Sequence, residues 1–235
     1  MTSDFRPALI IVDMQEDFCP PSGSLAVDSG RDIVAPLNEL LSLRFVLKVA
    51  TRDWHPPDHI SFAANHPGKQ PYVDSVTIVN PYNASESYSS QLWPVHCVQN
   101  SPGAELVSEL DVAKVDKIID KGTDPRVEMY SPFYDPFQHP RACDTRLAAL
   151  LHEHAITDVY VGGLAGDYCV KCCAEDAAAK EGFRTYLVEE CTRPVNSASW
   201  AECKKAIEAS GAKVVGMDSD EVRRLYTMAP LTYTN

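Results

Sequence analysis

The sequence has little positive charge, no long apolar run and no repeated unit, and each shortage removes a class of protein. Against 33 Asp and Glu stand only 21 Lys and Arg, a formal net charge of −12. A nucleic acid or an anionic membrane surface needs a basic patch to hold it, so neither is an expected partner. No stretch approaches the roughly eighteen apolar residues that span a bilayer. The apolar run at residues 8–12 is short and carries no signal-peptide pattern. The expectation is an intracellular protein of the cytoplasm, nucleus or peroxisome. In that setting the eight cysteines read as reduced thiols rather than a disulfide framework, and the Asn83-Ala84-Ser85 sequon counts for little. No repeat and no linker divides the chain.

What is present fits one sizeable domain over residues 1–235, since 45% hydrophobic and 23% charged residues are ordinary for a globular protein. Residues 8–12, ALIIV, form a continuous apolar run of the kind found in a central parallel strand covered on both faces. Apolar residues at Ile33, Val34, Leu37, Leu40 and Leu41 predict an amphipathic helix over 31–43, with Pro36 tolerable only near its first turn. Further strands are expected at 45–51, 117–120, 158–162, 185–188 and 213–215. Asp144 or Thr145 can cap a helix carrying Leu147, Leu150 and Leu151, and Gly182 and Gly211 can stop helices at 170–180 and 197–209. Ser219 can cap a closing helix through Leu225. This alternation predicts a doubly wound α/β fold, a mostly parallel sheet between helical layers in a Rossmann-like three-layer arrangement. The exception is residues 56–102, rich in Pro, Asn, Ser, Tyr and His without a clear period. They read as a long loop-rich insertion, and such insertions are usually functional.

Open α/β sheets bind ligands beyond the carboxyl ends of their strands. Here those ends carry Asp13, Asp53 with His55, Lys121, and the turn GGLAGDYC at 162–169. Its glycines permit an abrupt passage from strand to helix. Cys169 then opens the helix, where the positive end of the macrodipole and unpaired N–H groups stabilise a thiolate and can hold an oxyanion. A buried cysteine is as often a small hydrophobe, and an Asp13–Lys121 ion pair at a strand end is ordinary. Neither reading explains why all three fall on one rim. Together they make an activated nucleophile for acyl transfer, with Lys121 favouring the thiolate and Asp13 accepting and returning the proton.

Asp53-x-His55 and the later His96 offer one carboxylate and two imidazoles, a set suited to Zn²⁺ or Fe²⁺ with positions left open. D-x-H alone occurs in many loops that bind nothing, and His59 and His66 show that the region is rich in histidine anyway. Phe18, Trp93, Tyr130 and Phe133 lie near these positions and could sandwich a planar ring or serve as plain core.

The segments LIIVDMQEDF, RDWHPPDHISF, WPVHC, Lys121-Gly122 and GGLAGDYCV, spread from residue 8 to about 190, together resemble the nicotinamidases among the isochorismatase-like cysteine hydrolases. The resemblance implies hydrolysis of nicotinamide, or a related pyridine carboxamide, to nicotinate and ammonia, feeding NAD salvage. It implies that Asp13, Lys121 and Cys169 form a catalytic triad. It implies that Asp53, His55 and His96 bind one divalent metal, typically zinc, with Fe²⁺ or Mn²⁺ as alternatives. Phe18 and Trp93 would flank the ring, with Tyr130 and Leu164 as further substrate contacts. A cis peptide is expected at Leu164-Ala165, with the N–H groups of Ala165 and Cys169 as the oxyanion hole. His59 is expected to act from outside the ligand set. The chain departs from the family pattern at Gly166, where threonine is common, and at Tyr130-Ser131-Pro132-Phe133.

Three rivals accompany this expectation. One is another hydrolase of the superfamily, such as an isochorismatase or an N-carbamoyl amidase. Another is a redox protein built on Cys169-Val170-Lys171-Cys172, which would leave Asp13, Lys121 and the histidines without work. The third is a silent binding module. A homo-oligomer is compatible with all of them.

Overall fold

The apolar run that opens the chain becomes β1 (Pro7–Val12), and all six of its residues are buried. A computed structural model describes residues 5–228. Successive side chains of a strand point to opposite faces. Accordingly Leu9 and Ile11 join one apolar cluster while Ala8, Ile10 and Val12 join another. A strand so covered on both sides belongs at the centre of a parallel sheet.

After β1 the elements are α1 (Val34–Ser42), β2 (Leu47–Asp53), β3 (Ser75–Asn80), β4 (Asn83–Gln91), β5 (Lys117–Lys121), α2 (Leu147–Glu153) and β6 (Asp158–Leu164). They continue with α3 (Cys169–Glu175), β7 (Arg184–Arg193), α4 (Trp200–Ala209), β8 (Lys213–Val215) and α5 (Asp220–Tyr226). The main sheet has six strands in the order β5-β2-β1-β6-β7-β8, and every pairing in it is parallel. Counted by appearance, that is the 3-2-1-4-5-6 order of a doubly wound sheet. Leu37 and Leu40 of α1 and Val222 and Leu225 of α5 pack in the first cluster. Leu147 of α2, Cys173 of α3 and Ile207 of α4 pack in the second. The layered α/β fold expected from the sequence is the fold observed.

Local signals held with adjustments. Ser219 caps α5 by accepting from the Val222 N–H. Asp144 and Thr145 both accept N–H groups at the start of α2, from Arg146 and Leu147. The helix expected over 31–43 opens as a 3₁₀ turn, Gly30–Ile33, and becomes regular only at Val34. The helix expected over 170–180 begins at Cys169 and relaxes into a π turn over Asp176–Lys180. All eight cysteines are free thiols. Among the described residues, no helix is long and apolar enough to cross a membrane.

One expectation is corrected. Residues 56–102 are not loop throughout, because β3 and β4 pair as an antiparallel hairpin. Its apolar face is short: Ile78, helped by Val76 and Tyr88, packs on Val127 and Phe137 from distant parts of the chain. The remaining positions are mostly Ser, Thr, Asn and Glu, so the period-two pattern of a half-buried strand is masked.

Candidate active site

The order of strands reverses between β1 and β6, the place where doubly wound sheets open a crevice. Asp13 leaves the end of β1 and Cys169 follows the end of β6. Val12 of β1 is paired with Gly163 of β6. Gly163 has φ +122°, and a Cβ there would meet the Val12 carbonyl oxygen at 2.0 Å, so only glycine lets the two strand ends run this close. The Leu164-Ala165 peptide that follows is cis, as expected. The Val170 N–H then donates to the Ala165 carbonyl, which closes the turn and leaves Cys169 as the first residue of α3.

On the other side of β1, the register of β2 and β5 pairs Asp53 with Lys121. Both side chains are buried and turn under the rim. Lys121 Nζ lies 2.5 Å from Asp53 Oδ1, 3.0 Å from Asp13 Oδ2 and 3.5 Å from Cys169 Sγ. The ammonium is thus surrounded by two carboxylates and a sulfur, far apart in the chain and adjacent in space. Burial works against its charge, but Asp13 and Asp53 outweigh burial and hold its pKa well above the ordinary lysine value. For Asp53 burial is likewise outweighed, by Lys121 and then His55, and its carboxyl is held far below the usual range. For Asp13 burial prevails over Lys121, and its pKa is raised. Such a carboxylate is a better base than a solvated one.

Cys169 corrects one expectation. Its thiol pKa is pushed well above the ordinary value by burial, which Lys121 only partly offsets. The sulfur therefore rests as a thiol rather than a stabilised thiolate, and it needs a base at the moment of attack.

Beside the triad, His55 Nδ1 donates to the Gly122 carbonyl at 2.8 Å and His96 Nδ1 to the Pro94 carbonyl at 2.8 Å. A carbonyl only accepts, so each ring carries a proton on Nδ1 and turns its Nε2 inward. Those Nε2 atoms lie 3.5 and 3.9 Å from Asp53 Oδ2. Gly122 has φ +64°, and a Cβ there would sit 2.4 Å from the His55 ring, so the step after Lys121 requires glycine to bring its carbonyl under the imidazole. Burial, then His55, holds the His96 pKa down at about 4, leaving the neutral ring that a metal requires. Among the described residues, two buried side-chain polar atoms lack a hydrogen bond: His55 Nε2 and Asp13 Oδ2. The Asp13 oxygen is 3.0 Å from Lys121 Nζ, an ion pair out of hydrogen-bond alignment. The His55 nitrogen is an unused donor to an ion. Potential ligand atoms of Asp53, His55 and His96 all lie within 4.8 Å of one another, so these residues fit one divalent cation.

His59 stands outside that set, stacked on His55 with ring centroids 4.0 Å apart. Its Nε2 faces the Val127 carbonyl at 3.1 Å and its Nδ1 the Ser61 hydroxyl at 2.8 Å, so both nitrogens are already employed. Two polar residues packed around the metal-ligand candidates escaped the sequence reading. Glu128 is buried beside His55 and His59, and together they form a second group of donor atoms within 4.8 Å. Gln15 grips the Asp53 backbone: its Nε2 donates to Asp53 O and Ala104 O and its Oε1 accepts from Asp53 N, each at 2.8 Å. The amide replaces a strand neighbour where the sheet ends.

Above this floor opens a narrow cavity of about 40 Å³. Asp53, His96, Glu128, Ala165 and Cys169 reach its base, and Phe18, Trp93 and Tyr130 form its walls. The indole N–H of Trp93 donates to the Tyr130 hydroxyl at 3.0 Å, and Ser90 Oγ approaches that hydroxyl at 3.3 Å. Leu25, Val27, Tyr168 and Val195 complete the lining and were not foreseen. Tyr168 stands edge-on to both Trp93 and Tyr130. One expectation fails here. Leu164 does not line the cavity, because its side chain is fully buried in the first apolar cluster. Of the two readings open for Phe133, ring contact or core, the structure takes core: it is fully buried in the second apolar cluster and outside the cavity lining.

The chain is similar to known proteins over most of its length. A nicotinamidase of Saccharomyces cerevisiae is 40% identical over 195 residues, 80% of this chain and 88% of its own length. The structure of yeast nicotinamidase bound to the inhibitor nicotinaldehyde superposes with a TM-score of 0.83 at 36% identity, covering 89% of this chain and 99% of that one. The pyrazinamidase of Pyrococcus horikoshii in complex with zinc gives a TM-score of 0.68 at 35% identity, covering 90% and 99%. The isochorismatase domain matches residues 7–219, from the first residue of β1 to the cap of α5, and so takes in all four strand ends that build the floor. This chain belongs to the isochorismatase family.

Proposed function

We propose that the protein is an amidohydrolase that converts nicotinamide to nicotinate and ammonia, returning the pyridine ring to NAD salvage. One observation carries the reading: a buried thiol within reach of Lys121 and Asp13 at the base of an aromatic-walled cavity, beside an imidazole–carboxylate set. The yeast relative's bound nicotinaldehyde, an aldehyde on the same ring, supports the substrate class.

In this mechanism the ring enters between Phe18 and Trp93, and its carboxamide carbon comes over Cys169. Asp13 takes the thiol proton as sulfur attacks, and Lys121 stabilises the sulfur's developing charge. The first-turn amide of Cys169 and the amide of Ala165 hold the oxyanion. The C–N bond breaks, Asp13 returns the proton to the departing nitrogen, and ammonia leaves a thioester. Water then adds to that carbonyl with Asp13 again as base, the C–S bond breaks, and nicotinate and the free thiol remain. A divalent ion held by Asp53, His55 and His96, with zinc favoured by the Pyrococcus structure, would supply an electrophilic anchor for the ring nitrogen, directly or through water. Asp53 then serves both sides, turning Oδ1 to Lys121 and Oδ2 to the histidines.

The dithiol alternative is disfavoured by chemistry. Burial pushes the Cys172 thiol up to about 12, away from the low value that dithiol exchange favours. Incubating purified, zinc-loaded protein with nicotinamide should release ammonia and nicotinate in equal amounts. Ammonia from other amides but none from nicotinamide would move the protein to another branch of the family.

A further inference from the structure

Asp13 occupies an unusual backbone position. It is fully buried, it is not glycine, and yet its φ is +47°, in the left-handed region that L-residues seldom visit. Something must hold both its backbone and its carboxylate there. Thr51, buried on the adjacent strand β2, touches it three times. The Asp13 N–H is shared between the Thr51 carbonyl at 3.2 Å and the Thr51 hydroxyl at 3.1 Å. The same hydroxyl donates to Asp13 Oδ1 at 2.6 Å.

These contacts fix the direction of every proton. A threonine hydroxyl has one hydrogen to give and lone pairs to receive. Because the Asp13 N–H points at the hydroxyl oxygen, the hydroxyl hydrogen goes to Oδ1. The result is a closed ring, from backbone N–H to hydroxyl to carboxylate, which determines the side-chain torsions of Asp13. It also divides the two oxygens. Oδ1 is occupied by Thr51, while Oδ2 accepts no hydrogen bond and lies 3.0 Å from Lys121.

We infer that Thr51 is a positioning residue for the proposed base, its hydroxyl locking the Asp13 carboxylate so that Oδ2 alone is presented to the thiol proton. Thr51 acts through Asp13, so it should govern the chemical step and leave ring binding alone. The inference rests on the proposed amidase reaction, and a wild-type control separates the two.

The test is steady-state turnover of nicotinamide by zinc-loaded Thr51→Val, Thr51→Ser and Thr51→Ala. Valine keeps the β-branched shape that a buried strand favours and removes only the hydroxyl. Thr51→Val should lower kcat about 10- to 100-fold, the worth of a hydrogen bond to a charged group. KM should stay within about twofold, with zinc content and melting temperature near wild type. Thr51→Ser, which keeps the hydroxyl, should restore kcat to within about threefold of wild type. Thr51→Ala should match Thr51→Val, and it carries the test should valine prove insoluble. A wild-type kcat in the valine or alanine variant overturns the inference, as does a loss confined to KM or a serine variant no better than valine. If wild-type protein itself releases no ammonia from nicotinamide, the amidase reading falls and this one falls with it.

Discussion

The floor and the wall of the cavity are built by different means. The floor is made of strand ends: Asp13 after β1, Asp53 at the end of β2, Lys121 at the end of β5, and Cys169 beyond β6. Asp53 and Lys121 are paired within the six-stranded parallel sheet, Asp13 directly follows β1, Cys169 opens α3, and all four are buried. The wall is made of Trp93 and Tyr130, tied to one another and to the polar hairpin β3–β4 through Ser90. Rigid sheet edges place reacting atoms to within fractions of an ångström, which catalysis demands. A loop-borne aromatic wall only has to exclude water and match a ring. The comparison assigns the chemical step to the floor and the fit to the wall, and mutant kinetics can separate them.

The largest effect belongs to the floor. Cys169→Ala should lower kcat by about 10⁴-fold or more while metal content and melting temperature stay near wild type. Paired ammonia assays and elemental analysis check this, and a variant still turning over would end the covalent scheme. His96→Ala should come next. Losing a ligand should weaken metal binding by more than the roughly 10- to 100-fold that loss of an outer-shell partner costs. Metal titration after chelator treatment reads this, and an unchanged affinity removes His96 from the set.

On the wall the sign of the split reverses. Trp93→Ala should raise KM for nicotinamide about tenfold, corresponding to about 1.4 kcal/mol of stacking and burial, with kcat within about threefold. A loss in kcat at constant KM would break the division between the regions. The smallest effect should come from Ser90→Ala, which frees the Tyr130 hydroxyl on one side. KM should rise about threefold with kcat unchanged, near the modest net worth of one neutral hydrogen bond. A fall in kcat there would mean that the hairpin reaches the chemistry.

The same division explains what the sequence made legible. Floor residues follow apolar runs such as ALIIV, so locating a strand also locates its functional end, and the doubly wound order brings those ends together. The wall offered no such pattern. The serine-rich strands of β3–β4 hide their period, and their apolar contacts with Val127 and Phe137 are tertiary. Glu128 lies in the irregular stretch after β5, and the only hint of its burial is its place between Val127 and Met129. Tyr168 stood inside the quoted motif, but nothing in its spacing told which way the ring turns. Leu164 failed for the complementary reason. An apolar residue beside a site faces either the cavity or the core, and periodicity does not distinguish the two across a turn.

The account stands on Cys169 as a nucleophile that Asp13 unmasks. The most direct test is acid quenching of zinc-loaded wild-type protein during turnover of nicotinamide, followed by peptide mass analysis. The account predicts a nicotinoyl thioester on Cys169, absent when hydroxylamine is added before digestion. Steady turnover with Cys169 unmodified at every quench time, joined with retained turnover in Cys169→Ala, would contradict it.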